Sequence, residues 1–318
     1  MKRRIERAAL VSFTCLTLGA CSGDEDPSHF TGGKVELIFR GQVGEREFVC
    51  GDAYMGLGKN EETAMAQDLR FYVSRLRLIT EAGDEVPVHL DARDRWQTPE
   101  VALLDFEDGT GPCETNGNGP TNDRVTGSVP TGTYTGLVFS MSVPEQLNHE
   151  DPTLADAPLQ VTAMQWSWLS GYKFIRAEMK PMIRDSGSGG AGGQMQLGAQ
   201  MHDMGGQAHP IDRDAGHALD SQFHLGSLAC FGQPGDTGHA MSCAKPNRNE
   251  LRFESFNPQK QMIVADLLEM MKEVDLGVTN HCHGAPHDSC PGYFRAVGID
   301  YDSGELIEGQ TAFRVEER

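Results

Sequence analysis

The chain has 318 residues, with 27 Lys and Arg against 46 Asp and Glu, a formal net charge of -19. Residues 1–20 contribute +3 (Lys2, Arg3, Arg4 and Arg7 against Glu6), so the remainder carries -22. A chain this acidic repels polyphosphate, and no local basic patch offsets it, which argues against nucleic-acid binding. Hydrophobic residues at 38% and aromatics at 7% supply a core but not a membrane bundle. The 37 Gly and 16 Pro indicate turns and loops rather than long helices.

The N-terminus reads as a targeting signal. Lys2, Arg3, Arg4 and Arg7 form a basic segment, and residues 8–18 are an apolar stretch too short to span a bilayer. It ends in Leu18-Gly19-Ala20-Cys21, which resembles the bacterial lipoprotein cleavage box. Residues 1–20 are therefore expected to be a signal peptide, with Cys21 lipidated. Ser22 rather than Asp follows, so the resemblance implies outer-membrane sorting. Residues 21–32 read as a lipid-anchored polar tether, and residues 33–318 as the folded domain. The expected location is the cell envelope, on the outer-membrane or periplasmic side, or the exterior, with membrane contact through the anchor only.

The expected strands follow in chain order. Residues 34–40 (KVELIFR) and 69–79 (LRFYVSRLRLI) alternate polar and apolar residues, with Phe71, Val73, Leu76 and Leu78 as candidates for burial. Residues 132–141 and 172–179 continue the series. Residues 223–225, 251–256, 294–297 and 312–315 give shorter strands. One short helix is expected after Asn257-Pro258, with apolar positions at Leu267, Leu268, Met271 and Val274; residues 262–265 read equally as a strand. Gly, Pro, Asn and Asp turns join these pieces. The fold class is mostly β, an antiparallel sandwich-like single domain with long loops, one short helix and disulfide staples.

Cys15 falls within the signal and Cys21 takes the lipid, which leaves six cysteines in an oxidising compartment. Six allow about 15 connectivities. Proximity favours Cys230–Cys243 and Cys282–Cys290, leaving Cys50–Cys113. No C-x-x-C-H is present, so no haem attaches to this chain. Residues 185–220 form a Gly-rich inserted loop in which Met201, His202 and Met204 suit Cu(I) as accessory ligands. A dense cluster of His281, His283 and His287 around Cys282 and Cys290 is a second accessory metal candidate.

The standard hydrolase and nucleotide signatures are absent. Thr153 stands where H-E-x-x-H needs its second His, and there is no G-x-S-x-G, Walker or dinucleotide glycine motif. Asp300-x-Asp302-x-Gly304 lacks the bidentate Glu of a calcium loop and reads as a turn.

The informative stretch is residues 143–178. Trp166 and Trp168 stand two apart, so in an extended segment both indoles share a face. This stretch resembles the MbnP family, the metallo-mystery-pair four-Cys proteins. The resembling pieces run in order: Phe71-Tyr72-Val73-Ser74, Leu103-Leu104-Asp105-Phe106-Glu107, Gly127-x-Val129-Pro130-x-Gly132-x-Tyr134, Val143-Pro144 with Leu147-Asn148-His149, Met164-x-Trp166-x-Trp168, Gly171-Tyr172-Lys173-Phe174, Phe223-His224-Leu225-Gly226-Ser227 with Cys230, and Cys243-x-x-Pro246-Asn247-Arg248.

The resemblance implies an exported copper-binding protein paired with a di-haem partner of the MauG/cytochrome c peroxidase type. That partner uses peroxide to oxidise a Trp to kynurenine, which then joins His ligands on copper. His149 and His224 are the expected metal ligands, with Glu178 orienting an imidazole. Trp168 is the favoured site of oxidation and Trp166 the alternate. In this reading the chain is a substrate of an enzyme and not an enzyme. Two alternatives stand beside it: a structural or ligand-binding surface lipoprotein with no metal role, and a copper oxidase or oxygenase.

Overall fold

The structure, a computed structural model, describes residues 30–93, 95–167, 169–182, 219–232, 242–283 and 287–318. The expected signal segment, Cys21, Trp168, Met201, His202 and Met204 lie outside the described residues.

Two sheets face each other. One has ten strands, with the path Asn249–Phe253, Tyr134–Met141, Glu62–Thr80, Gly171–Pro181, Ser221–Gly226 and Asn280–Cys282. The other has six, with the path Phe313–Glu317, Gln261–Asp266, Gly33–Val43, Arg124–Val129 and His89–Leu90. Phe39 and Phe313 of the smaller sheet meet Phe71 and Phe139 of the larger edge to face, at 5.5–6.3 Å between centroids. That aromatic knot marks the core between the sheets.

The strand Glu62–Thr80 is the spine of the large sheet. Leu69, Phe71 and Val73 face the intersheet core, while Tyr72 joins a second apolar cluster on the other face with Leu103, Met164, Tyr172 and Phe174. A bulge interrupts the pairing between Ser74 and Arg77, and Arg75 there has φ +52°. One extra residue shifts the alternation by one. Burial therefore passes from the odd positions 71 and 73 to the even positions 76 and 78, and all four are buried as expected.

The disulfides join Cys50 to Cys113, Cys230 to Cys243 and Cys282 to Cys290, the pairs favoured by spacing. Three features differ from the sequence reading. First, two strand pairs are parallel: Gly33–Val43 with Gln261–Asp266, and Ser221–Gly226 with Asn280–Cys282. Second, residues 261–266 are a strand, so the helix starts only at Leu267; the Asp266 carboxylate caps it by accepting from the Leu268 N–H at 2.9 Å. Third, residues 294–297 are not a strand. Phe294 and Ala296 belong to a second helix, Cys290–Ala296, which carries Pro291 in its first turn. Tyr293 of this helix stacks on Phe223 at 4.8 Å, and the Cys282–Cys290 disulfide staples its start to the sheet.

Candidate metal centre

The ten-stranded sheet carries a row of polar groups on the face opposite the core. Register explains it. Arg176 pairs with Arg70 on one side and His224 on the other; Glu178 pairs with Asp68 and Gln222; Gln222 pairs in turn with His281. Side chains two apart share a face. Asp68, Arg70, Arg176, Glu178, Gln222, His224, His281 and His283 therefore stand on one face. Phe223, Leu225 and Cys282 alternate onto the other and enter the core.

The three imidazoles stack. His224 and His283 lie 4.2 Å apart with an interplanar angle of 4°, and His283 and His281 lie 5.4 Å apart at 10°. Three ring nitrogens in this stack are buried without a hydrogen-bond partner: Nδ1 of His224, Nε2 of His283 and Nε2 of His281. A buried polar atom without a partner is costly, and an unpaired imidazole lone pair is what a metal ion accepts.

Glu178 fixes the chemistry of the innermost ring. Its Oε1 lies 2.5 Å from Nε2 of His224. Burial works to raise the Glu178 carboxyl, but the His224 hydrogen bond and the Arg176 guanidinium overcome it and hold the group at about 2. Burial in turn pushes the His224 imidazole down to about 3. The pair is thus a carboxylate and a neutral imidazole: Nε2–H donates to Glu178, and Nδ1 keeps its lone pair. Burial, with the neighbouring His281, pushes His283 down to about 4. Asp220 acts oppositely on His281. Its Oδ2 lies 3.6 Å from Nε2, and this polar and ionic contact raises the His281 pKa against the effect of burial.

Arg176 locks the carboxylates, with Nε 2.8 Å from Glu178 and 2.9 Å from Asp68, while Nη1 donates to the Ala163 carbonyl at 3.1 Å. Behind it Arg70, fully buried, donates to both oxygens of Asp68, reaches Glu107 at 3.3 Å and donates to the Asn116 carbonyl at 3.1 Å. Asp105 completes this network, and Asn118 Nδ2 donates to its Oδ2 at 2.9 Å.

Burial raises the Asp105 carboxyl to about 8, beyond what Arg70 can counter. A raised carboxyl pKa means that the folded state binds the proton more tightly than the unfolded one. The penalty is absent below the unfolded value near ~4, grows as pH rises, and is complete above about 8. Asp105→Asn is therefore expected to leave thermal stability unchanged near pH 4. At pH 8–9 it should raise stability by a few kcal/mol at most, as read in paired melts across this range.

The Trp motif borders the stack. Trp166 and His283 line one cleft of about 520 Å³, together with Ser227 and Cys230. A Cβ on Gly226 would come within 2.6 Å of both the Trp166 ring and the Tyr172 carbonyl, so only glycine lets the indole sit against the His224 strand. Gly226→Ala should cost about 1–3 kcal/mol and displace Trp166, shifting tryptophan emission; unchanged emission and stability would refute this packing.

His149 stands elsewhere. Its Nε2 lies 3.2 Å from Asn148 Nδ2 and 3.5 Å from Cys243 Sγ, against the disulfide whose other half, Cys230, lines the Trp166 cleft. Asn148 accepts from the Tyr172 N–H at 3.2 Å, and a Cβ on Gly171 (φ +77°) would come within 2.6 Å of Asn148, so the Leu147-Asn148-His149 and Gly171-Tyr172 motifs form one unit. His149 with Cys230 and Cys243, and Glu107 with Cys50 and Cys113, each bring three donor atoms within 4.8 Å. In both groups the sulfurs are oxidised to disulfides, so no thiolate donor is available. His287 is held by Ser289, whose Oγ lies 2.7 Å from Nδ1.

Of the expected residues, the structure brings together His224, Glu178, His281 and His283, with Trp166 at the border. Asp220 and Arg176 were missed. The readable signal was the H-C-H alternation at 281–283, which on a strand puts both imidazoles on one side of a core cysteine.

The MbnP family model matches residues 32–284. A solved structure, MbnP from Methylosinus trichosporium, superposes with a TM-score of 0.71 at 26% sequence identity, covering 91% of this chain and 99% of that one. Comparison with curated proteins gave no match.

Proposed function

Because the chain belongs to the MbnP family, we propose that it is an exported copper-binding protein, with the neutral imidazoles of His224 and His283 as its candidate ligands. One observation carries the reading: two buried imidazole nitrogens on a single stack, Nδ1 of His224 and Nε2 of His283, have no partner of their own. The donor set suits the ion. Neutral imidazole is a good ligand for copper in either oxidation state, and a carboxylate already orients the innermost ring. Bound copper would supply the Lewis acid that accepts these lone pairs. The protein's part is to keep His224 and His283 deprotonated by burial and to fix the His224 tautomer through Glu178.

The finer steps rest on the family resemblance. A di-haem partner oxidises a Trp of the 166/168 pair to kynurenine, which adds an aryl amine and a ketone near the imidazoles. Trp166 borders the His283 cleft, which supports the pair as the place of modification. His149, beside the Cys230–Cys243 disulfide, is the further ligand candidate. The chain is then a substrate of its partner and not a catalyst, anchored in the cell envelope through Cys21.

Peptide mass spectrometry of protein from the native host tests the modification. The expected result is loss of one carbon and gain of one oxygen on the peptide bearing Trp166 and Trp168, with fragment ions naming the residue. Unmodified Trp in cells that express the partner refutes it. Copper titration of the unmodified chain tests the His stack separately.

A further inference from the structure

A second cleft, of about 570 Å³, is lined by the bulge of the strand Glu62–Thr80 at Arg75, Leu76 and Arg77. Its volume falls within the roughly 300–1,000 Å³ of small-ligand sites. Leu76, Val88, Leu90 and Pro144 supply apolar walls. Ser142, from the end of the neighbouring strand, faces it beside Ser74, with the two hydroxyls 3.3 Å apart.

Two arginines converge there. Arg75 is the bulge residue, held at φ +52°, a left-handed conformation that an L side chain adopts only when its surroundings impose it. Arg248 follows Asn247, itself at φ +49° and anchored by its amide to the Gly226 carbonyl at 2.8 Å. Its guanidinium lies 5.5 Å over the Phe174 ring and donates through Nε to the Val143 carbonyl at 3.2 Å, while Nη2 is buried without a partner. Among the described residues neither Arg75 nor Arg248 forms an ion pair. The third arginine of the cleft, Arg77, is saturated by Glu85 at 2.7 Å and Glu250 at 2.6 Å. Glu100 and Glu145 also border the cleft; burial lowers the Arg248 pKa, Glu145 favours its charge and Arg75 opposes it.

A half-buried guanidinium with an idle donor, a second cation held beside it by a bulge, and apolar walls together define a recognition chemistry. We propose that this cleft binds a small monocarboxylate with an apolar body. The carboxylate lies at Arg248 and Arg75, and the body lies against Leu76, Val88, Leu90 and Pro144. A fork of guanidinium donors matches a carboxylate, and an anion would supply the idle Arg248 donor with an acceptor. This site is independent of the proposed copper centre and goes beyond it.

The test uses the full chain and three probes of equal length: octanoate, 1-octanol and octylammonium. Amide NMR shifts are followed during titration. Octanoate is expected to give saturable shifts at residues 75–76, 88–90, 142–146 and 248, with 1-octanol about tenfold weaker and octylammonium silent there. Arg75→Gly relieves the left-handed strain and so preserves the fold; it should weaken octanoate about tenfold and leave copper titration unchanged. Arg248→Lys keeps the charge, loses the fork and should weaken octanoate further. Absence of saturable shifts in the cleft, equal binding of octanoate and 1-octanol, preference for octylammonium, or no effect of Arg75→Gly would each overturn the proposal. If Arg248→Lys fails to fold, the Arg75→Gly titration decides alone.

Discussion

Arg70→Met should destabilise the folded chain by about 3–5 kcal/mol, since removing one member of a buried charge network strands the others. The substitution removes the donors to both oxygens of Asp68 and the ion-pair partner of Glu107, and it leaves Asp68, Asp105 and Glu107 buried together. It also releases the Asn116 carbonyl, so the loop that carries Cys113 loses an anchor. Urea unfolding at pH 7 with the disulfides intact measures this. A second variant separates charge from volume: Arg70→Met with Asp68→Leu should recover part of the loss, because a well-packed apolar pair replaces a broken ionic one. A loss below about 1 kcal/mol in the single variant would mean that water reaches the network and relieves the stranded carboxylates.

Copper affinity should fall by about a hundredfold or more in His283→Ala and in His224→Ala, and by roughly 10–100-fold in Glu178→Gln. The reasoning differs for each. His283 and His224 would each lose a donor lone pair that has no other partner in the fold. Glu178→Gln keeps both rings but removes the carboxylate that holds His224 in one tautomer. Competition against a chromophoric copper chelator reads the affinities, and circular dichroism checks the fold. His287→Ala serves as the control, because its imidazole is held by Ser289. His149→Ala belongs in the same series. If it abolishes binding while the stack variants do not, the copper centre sits beside the Cys230–Cys243 disulfide and the stack reading is wrong.

Local pattern was legible where alternation and turn chemistry act alone. The strand through Phe71 and Val73 and its continuation through Leu76 and Leu78 could be read off directly, even across the shift of phase. That shift is the bulge at Arg75, whose left-handed backbone no composition rule anticipates. The sequence marked His281, His283 and His287 only as a cluster; the strand Asn280–Cys282 puts His281 and His283 on one side of a core cysteine. Short apolar runs were less secure. Residues 294–297 carry too few positions to separate strand from helix. Pro291, the Cys282–Cys290 staple and the Phe223 ring decide for helix. Residues 261–266 could be either, and pairing with Gly33–Val43 recruits them into a sheet before Asp266 can cap a helix.

The sequence by itself determined the β class, the two short-range disulfides by spacing and the third as the remaining pair, and the residue types able to hold a soft cation, because each follows from periodicity, residue spacing or side-chain chemistry. Only the tertiary structure decided which of those residues meet. His224 and His283 are 59 positions apart in the chain, and they stack because a parallel pairing lays Asn280–Cys282 beside Ser221–Gly226. Glu178 joins them through the antiparallel pairing on the other side, and the Asp68, Arg70 and Glu107 network forms beneath by the same register. Register between distant strands depends on which faces can be buried together, and that is a property of the packed sheets rather than of any one segment.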